Sequence, residues 1–172
     1  DALATLETVD VGSRYSLALF DAGWHQGVVG ILASRIREKT HRPVIAFARD
    51  GAGNLKGSGR SIGGFHLRDA LDLVTKREPA LISKFGGHAM AAGLTIAEAA
   101  MGDFAAAFEA VARRMLSPAD LAERIETDGT LDGGELDFEF VNAIDAQVWG
   151  QGFVAPAFVG SFRVVEQRVV GE

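Results

Sequence analysis

The sequence predicts an α/β domain, a mixed sheet flanked by helices, followed by a partial β-rich extension. Three observations carry this. A strand-like run, a helix-period run and a second strand-like run succeed one another between Arg14 and Ala48, as in a βαβ unit. Two further helix-period stretches alternate with Gly-rich extended segments. Past Pro118 the helical periods thin out and short alternating runs take over.

In chain order, "RYSLALF" (Arg14–Phe20) reads as a buried strand and "DAGWHQG" as a loop. In "GVVGILASRIREKTH", Val28, Leu32 and Ile36 recur at helical spacing, and cations gather in the last turns, where they complement the negative end of the helix dipole. "RPVIAFA" is a second strand, opened by Pro43, and "GAGNLKGSGRS" is a turn entering a Gly-rich strand. "FHLRDALDLVTKREP" places Leu67, Leu71 and Val74 on one helical face and stops before Pro79. "KFGGHAMAAG" (Lys84–Gly93) makes a poor helix and a poor strand, and reads as a sharp turn with His88 at its apex. "AAGLTI" is a strand leaving that turn. "GDFAAAFEAVARRML" is a helix with Phe104, Phe108, Val111 and Met115 inward. "SPAD" around Pro118 marks a boundary, giving one domain over 1–117 and a linker with a partial β region over 118–172. Beyond it "RIETDGTL" reads as a short strand, "ELDFEFVNAIDAQV" as a helix, "GQGFVAP" as a loop and "AFVGSFRVVEQRVVG" as a strand pair.

Composition narrows the classes. Hydrophobic residues make up 48% of 172, enough for a real core. No apolar run reaches the ~18–20 residues of a membrane span. Cysteine is absent, which excludes disulfides and thiolate metal sites and suits a reducing cytoplasm. The start, "DALATLETVD", has neither the basic nor the apolar region of a signal peptide and no initiator Met, so an excised piece of a longer chain is expected. Charge is uneven. Residues 1–100 carry 12 Lys/Arg against 10 Asp/Glu, and residues 101–172 carry 5 against 13. An anionic ligand therefore belongs to the first hundred residues, and the acidic excess around Asp128–Glu139 would repel it.

Three stretches could hold such an anion, each with a plainer reading beside it. In "WHQGVVG", Gly27 lies where a helix should begin, and a Gly-bearing loop before a helix N-terminus is an anion site. Trp24 could stack a base and His25 donate to a phosphate; alternatively Trp24 is core and Gly27 only a helix start. In "LKGSGRS", Gly57 and Gly59 permit close backbone approach, Arg60 can fork onto two oxygens, and Ser58 and Ser61 add hydroxyls. Asn54 stands where a Walker loop needs Gly, and Lys56 where a dinucleotide fingerprint does, so neither pattern fits. The plain reading is a Gly-rich turn with a solvated Arg. In "FGGHAMAAG", Gly86 and Gly87 could present His88 to a phosphate oxygen, or the imidazole could be buried at a packing corner. The histidines show no i, i+3 or i+4 pair, and no metal set is expected.

Taken together and in order, "WHQGVVGILASRI", "KGSGRSIGGFHLRDAL" and "KFGGHAMAAGLTI" resemble the RecJ exonucleases of the DHH phosphoesterase superfamily. The resemblance covers that family's DHH-associated domain, roughly Tyr15 to Met115, and "GQGFVAPAF" looks like an altered form of its "PFGxGNPxPxF" run at the start of its OB-fold region, which implies that the β-rich extension is OB-like. There Trp149 stands for Phe, and Phe153-Val154 for Asn-Pro. The resemblance implies a 5′–3′ exonuclease on single-stranded DNA in recombination and repair. It implies Mn2+ or Mg2+ held by a separate catalytic DHH domain that this chain would face across a cleft. It implies Arg60 and His88 as the catalytic phosphate contacts, with Trp24, His25, Gln26, Gly27, Ser58, Gly59, Ser61, Gly86 and Gly87 as the surrounding surface. This portion alone would be inactive. Two alternatives stay open: a related phosphodiesterase of short oligonucleotides or cyclic dinucleotides, and a non-enzymatic nucleic-acid-binding module.

Overall fold

The computed structural model describes residues 11–150 and 153–168. The βαβ unit forms from the residues expected. β1 (Leu17–Phe20) runs parallel to β2 (Val44–Arg49), with Leu17 opposite Val44 and Phe20 opposite Phe47. α1 (Val29–Thr40) crosses between them and buries Val29, Leu32, Ala33 and Ile36. Val28, expected inward, is 49% exposed, because it is the N-cap residue and lies ahead of the helical stripe that Val29 begins. α1 ends at His41, which takes φ 47 and donates its N–H to the Arg37 carbonyl.

β3 (Asn54–Arg60) returns antiparallel to β2, and β5 (Ala91–Ala97) pairs antiparallel with β3. β4 (Lys84–Gly87) is the edge strand, antiparallel to β5, giving the order β1-β2-β3-β5-β4. The structure thus corrects the reading of "KFGG" as part of a turn. Its propensity for strand is low, but the ladder to β5 supplies backbone partners that propensity does not foresee.

The sheet faces are covered unequally. Against one face lie α2 (Leu67–Arg77) and α3 (Met101–Met115). They enclose Ile45, Phe47, Leu55, Leu94, Ile96, Phe104 and Phe108. Phe47 meets Phe104 edge-on at 5.4 Å between ring centres, and Phe104 stacks on Phe108 at 5.8 Å. On the other face, α1 covers Leu17, Val44, Ala46 and Ala48. Farther along that face Lys56, Lys84, Gly86 and Gly93 are exposed, and Ser58, Arg60 and Thr95 half-buried.

The chain divides into two compact units, Asp1–Glu123 and Arg124–Glu172. The first continues past Pro118 because Arg42 ties it together, donating Nε to the Arg14 carbonyl at 2.7 Å and Nη1 to that of Leu121 at 2.8 Å. "SPAD" is a capped single turn, with Ser117 and Asp120 in a capping box.

In the second unit α4 (Phe138–Asp145) starts at Asp137, whose carboxylate accepts the Phe140 N–H at 2.8 Å. No strand forms among its described residues. Neither "RIETDGTL" nor "AFVGSFRVVEQRVVG" over residues 157–168 forms a strand, although the two meet through two backbone hydrogen bonds: the Asp128 N–H donates to the Ala157 carbonyl at 2.7 Å and the Val159 N–H to the Gly129 carbonyl at 2.9 Å; the rest of that run lies outside the described residues. The expected β-rich extension is therefore absent from what is described, beyond one Gly150–Phe153 bridge. Alternation specifies a strand only where a neighbour completes the ladder, and isolated pairs are marginal in water. Phe138, Val148, Phe162 and Val165 stay largely exposed there.

Candidate phosphate-binding surface

The antiparallel register builds the site. Arg60 ends β3 opposite Ala91, the first residue of β5. His88, following β4, donates its N–H to the Ala91 carbonyl at 2.8 Å. Arg60, Ala91 and His88 therefore form one row at one end of the sheet. Two strand spacings, ~10 Å, separate the backbones of Arg60 and His88. His88 is exposed and Arg60 half-buried.

The guanidinium is held but not neutralised. Nη1 of Arg60 donates to the Gly59 carbonyl at 2.8 Å and to Ser58 Oγ at 3.2 Å. Nη2 lies against Gly30 in the first turn of α1, where an added Cβ would stand 3.3 Å from it and 3.2 Å from Ser58 Oγ. Among the described residues no carboxylate pairs with Arg60. Nε and Nη2 thus keep donor capacity for an anion. Arg49 is the contrast: Glu98 grips it at 2.6 Å. That hydrogen-bonded pairing raises the guanidinium pKa and lowers the carboxyl's. α1 adds to the field around Arg60, because it opens with neither a side-chain cap nor an acidic residue.

The hairpin that carries His88 is fixed from below. Ser61 donates its N–H to the Met90 carbonyl at 3.0 Å, and Leu67 to that of Ala89 at 2.9 Å. Gly87 has φ 142, and a Cβ there would stand 2.4 Å from the Ala91 carbonyl oxygen. Gly87 is thus a requirement of the backbone. At Gly86 a Cβ would meet nothing within 4 Å. Of the two glycines expected to present His88, only Gly87 is thus demanded by the backbone.

The remaining expected surface residues scatter. Ser61 is 1% exposed, and its hydroxyl donates to the Phe65 carbonyl, so it braces the loop beneath the site and has no face toward a ligand. Gly59 turns to the core, where a Cβ would stand 2.7 Å from Leu67 Cδ2, and contributes its carbonyl to Arg60. Trp24 is half-buried against the core beneath α1. His25 is exposed, with Nδ1 accepting the Gly27 N–H at 3.1 Å; Gln26 Nε2 donates to the Arg49 carbonyl at 2.9 Å. Gly27 lies in the turn two residues before α1. The structure therefore unites Arg60, Ser58 and the start of α1, with His88 in the same row.

Sequence reasoning missed Gly30 and three side chains on this face: Lys56, Thr95 and Lys84. A signal for Lys56 existed, since strand period places it on the side of Ser58 and Arg60. No signal existed for Lys84 until its pairing with Thr95 was known. Among the described residues no three His, Asp or Glu side chains cluster as a metal set.

The chain is 52% identical over 157 residues to the single-stranded-DNA-specific exonuclease RecJ of Salmonella typhimurium, covering 91% of this chain and 27% of that protein. It is 50% identical over 157 residues to the RecJ of Escherichia coli, with the same shares of 91% and 27%. It superimposes on the crystal structure of Thermus thermophilus RecJ in complex with Mn2+ with TM-score 0.71 and 31% identity, over 91% of this chain and 23% of that one. The chain spans about a quarter of the length of the curated relatives it matches. Residues 12–114, which hold the whole five-stranded sheet, Arg60 and His88, match the DHHA1 domain, and the chain belongs to that family.

Proposed function

We propose that this chain is the substrate-phosphate-binding part of a RecJ-like 5′–3′ exonuclease. It grips the backbone of single-stranded DNA opposite a metal-bearing DHH catalytic domain, in recombination and repair within the cytoplasm. One observation carries the reading: a guanidinium positioned by Ser58 and Gly59, unpaired with any described carboxylate, at the uncapped start of α1 and in one row with an exposed imidazole. The relatives' printed description as single-strand-specific exonucleases and the Mn2+ of the solved relative support it. The described residues here do not form a metal set, so a metal would be held by the catalytic domain. What these residues do is electrostatic. As the phosphodiester gains charge on its non-bridging oxygens, Arg60 can donate from Nε and Nη2 and His88 from its ring N–H. The positive end of α1 favours the same charge.

The test is a chimera in which this chain replaces the matching segment of the Escherichia coli relative. Arg60→Ala and His88→Ala should each lower turnover on single-stranded DNA by about 10²-fold or more, the usual loss for one preorganised donor. Folding should be unchanged by circular dichroism. Wild-type turnover in both variants contradicts the proposal.

A further inference from the structure

On the bare side of β3 the side chains in order are Asn54, Lys56, Ser58 and Arg60. Lys56 stands opposite Thr95, and Thr95 opposite Lys84. These three make a second row across the sheet. It lies four residues, ~13 Å, along the strands from the row of Arg60 and His88. Between the rows, Ser58 faces Gly93 and Gly93 faces Gly86. The surface dips there into a depression of about 360 Å3 lined by Lys56, Lys84, Gly86, Gly93 and Thr95. Neither lysine pairs with a carboxylate among the described residues. Asp50, the acid that feels Lys56, is itself engaged by the N–H groups of Ala52 and Asn54.

The floor between the two rows is not shaped by the fold. A Cβ at Gly86 would meet nothing within 4 Å, and at Gly93 only the Gly57 carbonyl oxygen at 3.8 Å. Neither glycine has a positive φ. Glycine weakens a strand interior, and its presence there fits close approach of something external. Two registered, unpaired cations above such a floor complement an extended polyanion.

We infer that Lys56, Thr95 and Lys84 form a second phosphate-holding point for the same single strand, so that the bare sheet face is a track leading away from Arg60. The inference rests on the reading under Proposed function. It commits to a DNA backbone as the occupant of this face; a protein domain seated there is the competing outcome.

The test uses the 172-residue chain and fluorescence anisotropy over a salt series, with a 3′-labelled, 5′-phosphorylated thymidine 12-mer and the corresponding dinucleotide. The double variant K56Q/K84Q should bind the 12-mer more weakly. Its log–log salt slope should be shallower by about 1.4, two phosphate contacts at ~0.7 each. Dinucleotide binding should not change. Gly86→Val should weaken the 12-mer alone while the melting temperature holds. Wild-type affinity and slope in K56Q/K84Q overturn the inference, as they would if a protein domain covers this face. Arg60→Gln is the separate arm for the parent reading and should weaken both ligands. Loss in the lysine variant with none in Arg60→Gln keeps the track and sinks the Arg60 site; the reverse sinks the track alone. A chain that binds neither ligand at low salt overturns both.

Discussion

Gly57 and Gly93 lie on neighbouring strands and on opposite faces of one sheet. A Cβ at Gly57 would stand 2.5 Å from Phe47 Cε1 and 2.8 Å from Leu94 Cδ2. At Gly93 it would find only a carbonyl oxygen at 3.8 Å. The first glycine makes room for its cross-strand neighbours, Phe47 of β2 and Leu94 of β5, which lie over it on the face that α2 and α3 cover. The second has no such neighbour and lies between cations. One residue type thus carries two meanings, and only its surroundings distinguish them. Core glycines record packing, and bare-face glycines leave open room above the sheet.

That difference can be broken by experiment, beginning with the largest effect. Gly57→Ala should destabilise the chain by about 1–3 kcal/mol, the usual cost of overpacking. Gly93→Ala should be neutral or stabilise by up to ~1 kcal/mol, because alanine narrows the unfolded ensemble. Urea unfolding of both variants reads this directly, and equal costs would erase the distinction between the faces.

A smaller effect sharpens the view of the β2–β3 turn, next to Lys56. The Ala52 N–H holds the Asp50 carboxyl below its ordinary pKa; the Asn54 side chain and N–H add to this, and desolvation opposes it. The folded pKa is depressed. The stabilisation is therefore complete above the unfolded value of ~3.9 and is lost as pH falls through the lower folded value. Asp50→Asn should cost stability at pH 7, and its difference from wild type should shrink as pH drops below ~3.9. A pH-independent difference in urea midpoints would show that the charge is not what stabilises the turn.

Legibility in the sequence followed how local each cause was. Leu32 and Ile36 in α1, and Phe104 and Phe108 in α3, announced their burial because helical period needs only the chain itself. Val28 was displaced by one position because capping, not period, decides where a helical stripe begins. Arg60 and His88 were legible as residues, but their common row depends on β3 and β4 both pairing with β5, which no spacing encodes. Lys84 was invisible for the same reason. Ser61 looked like a donor by its motif, yet the turn to Phe65 consumes its hydroxyl inside the protein. The tail's alternation, from Ala157 on, could not show that its pairing with the segment around Asp128 would stop at two backbone hydrogen bonds, short of a ladder.

The central claim is that the bare sheet face, and not the helix-covered one, meets single-stranded DNA. The most direct measurement is a titration of the 15N-labelled chain with the 5′-phosphorylated thymidine 12-mer. Amide shifts should concentrate at Ser58, Arg60, His88, Lys56 and Gly93 and leave α2 and α3 unmoved. Shifts centred on α2 and α3, or none on the bare face at saturating DNA, would contradict the account.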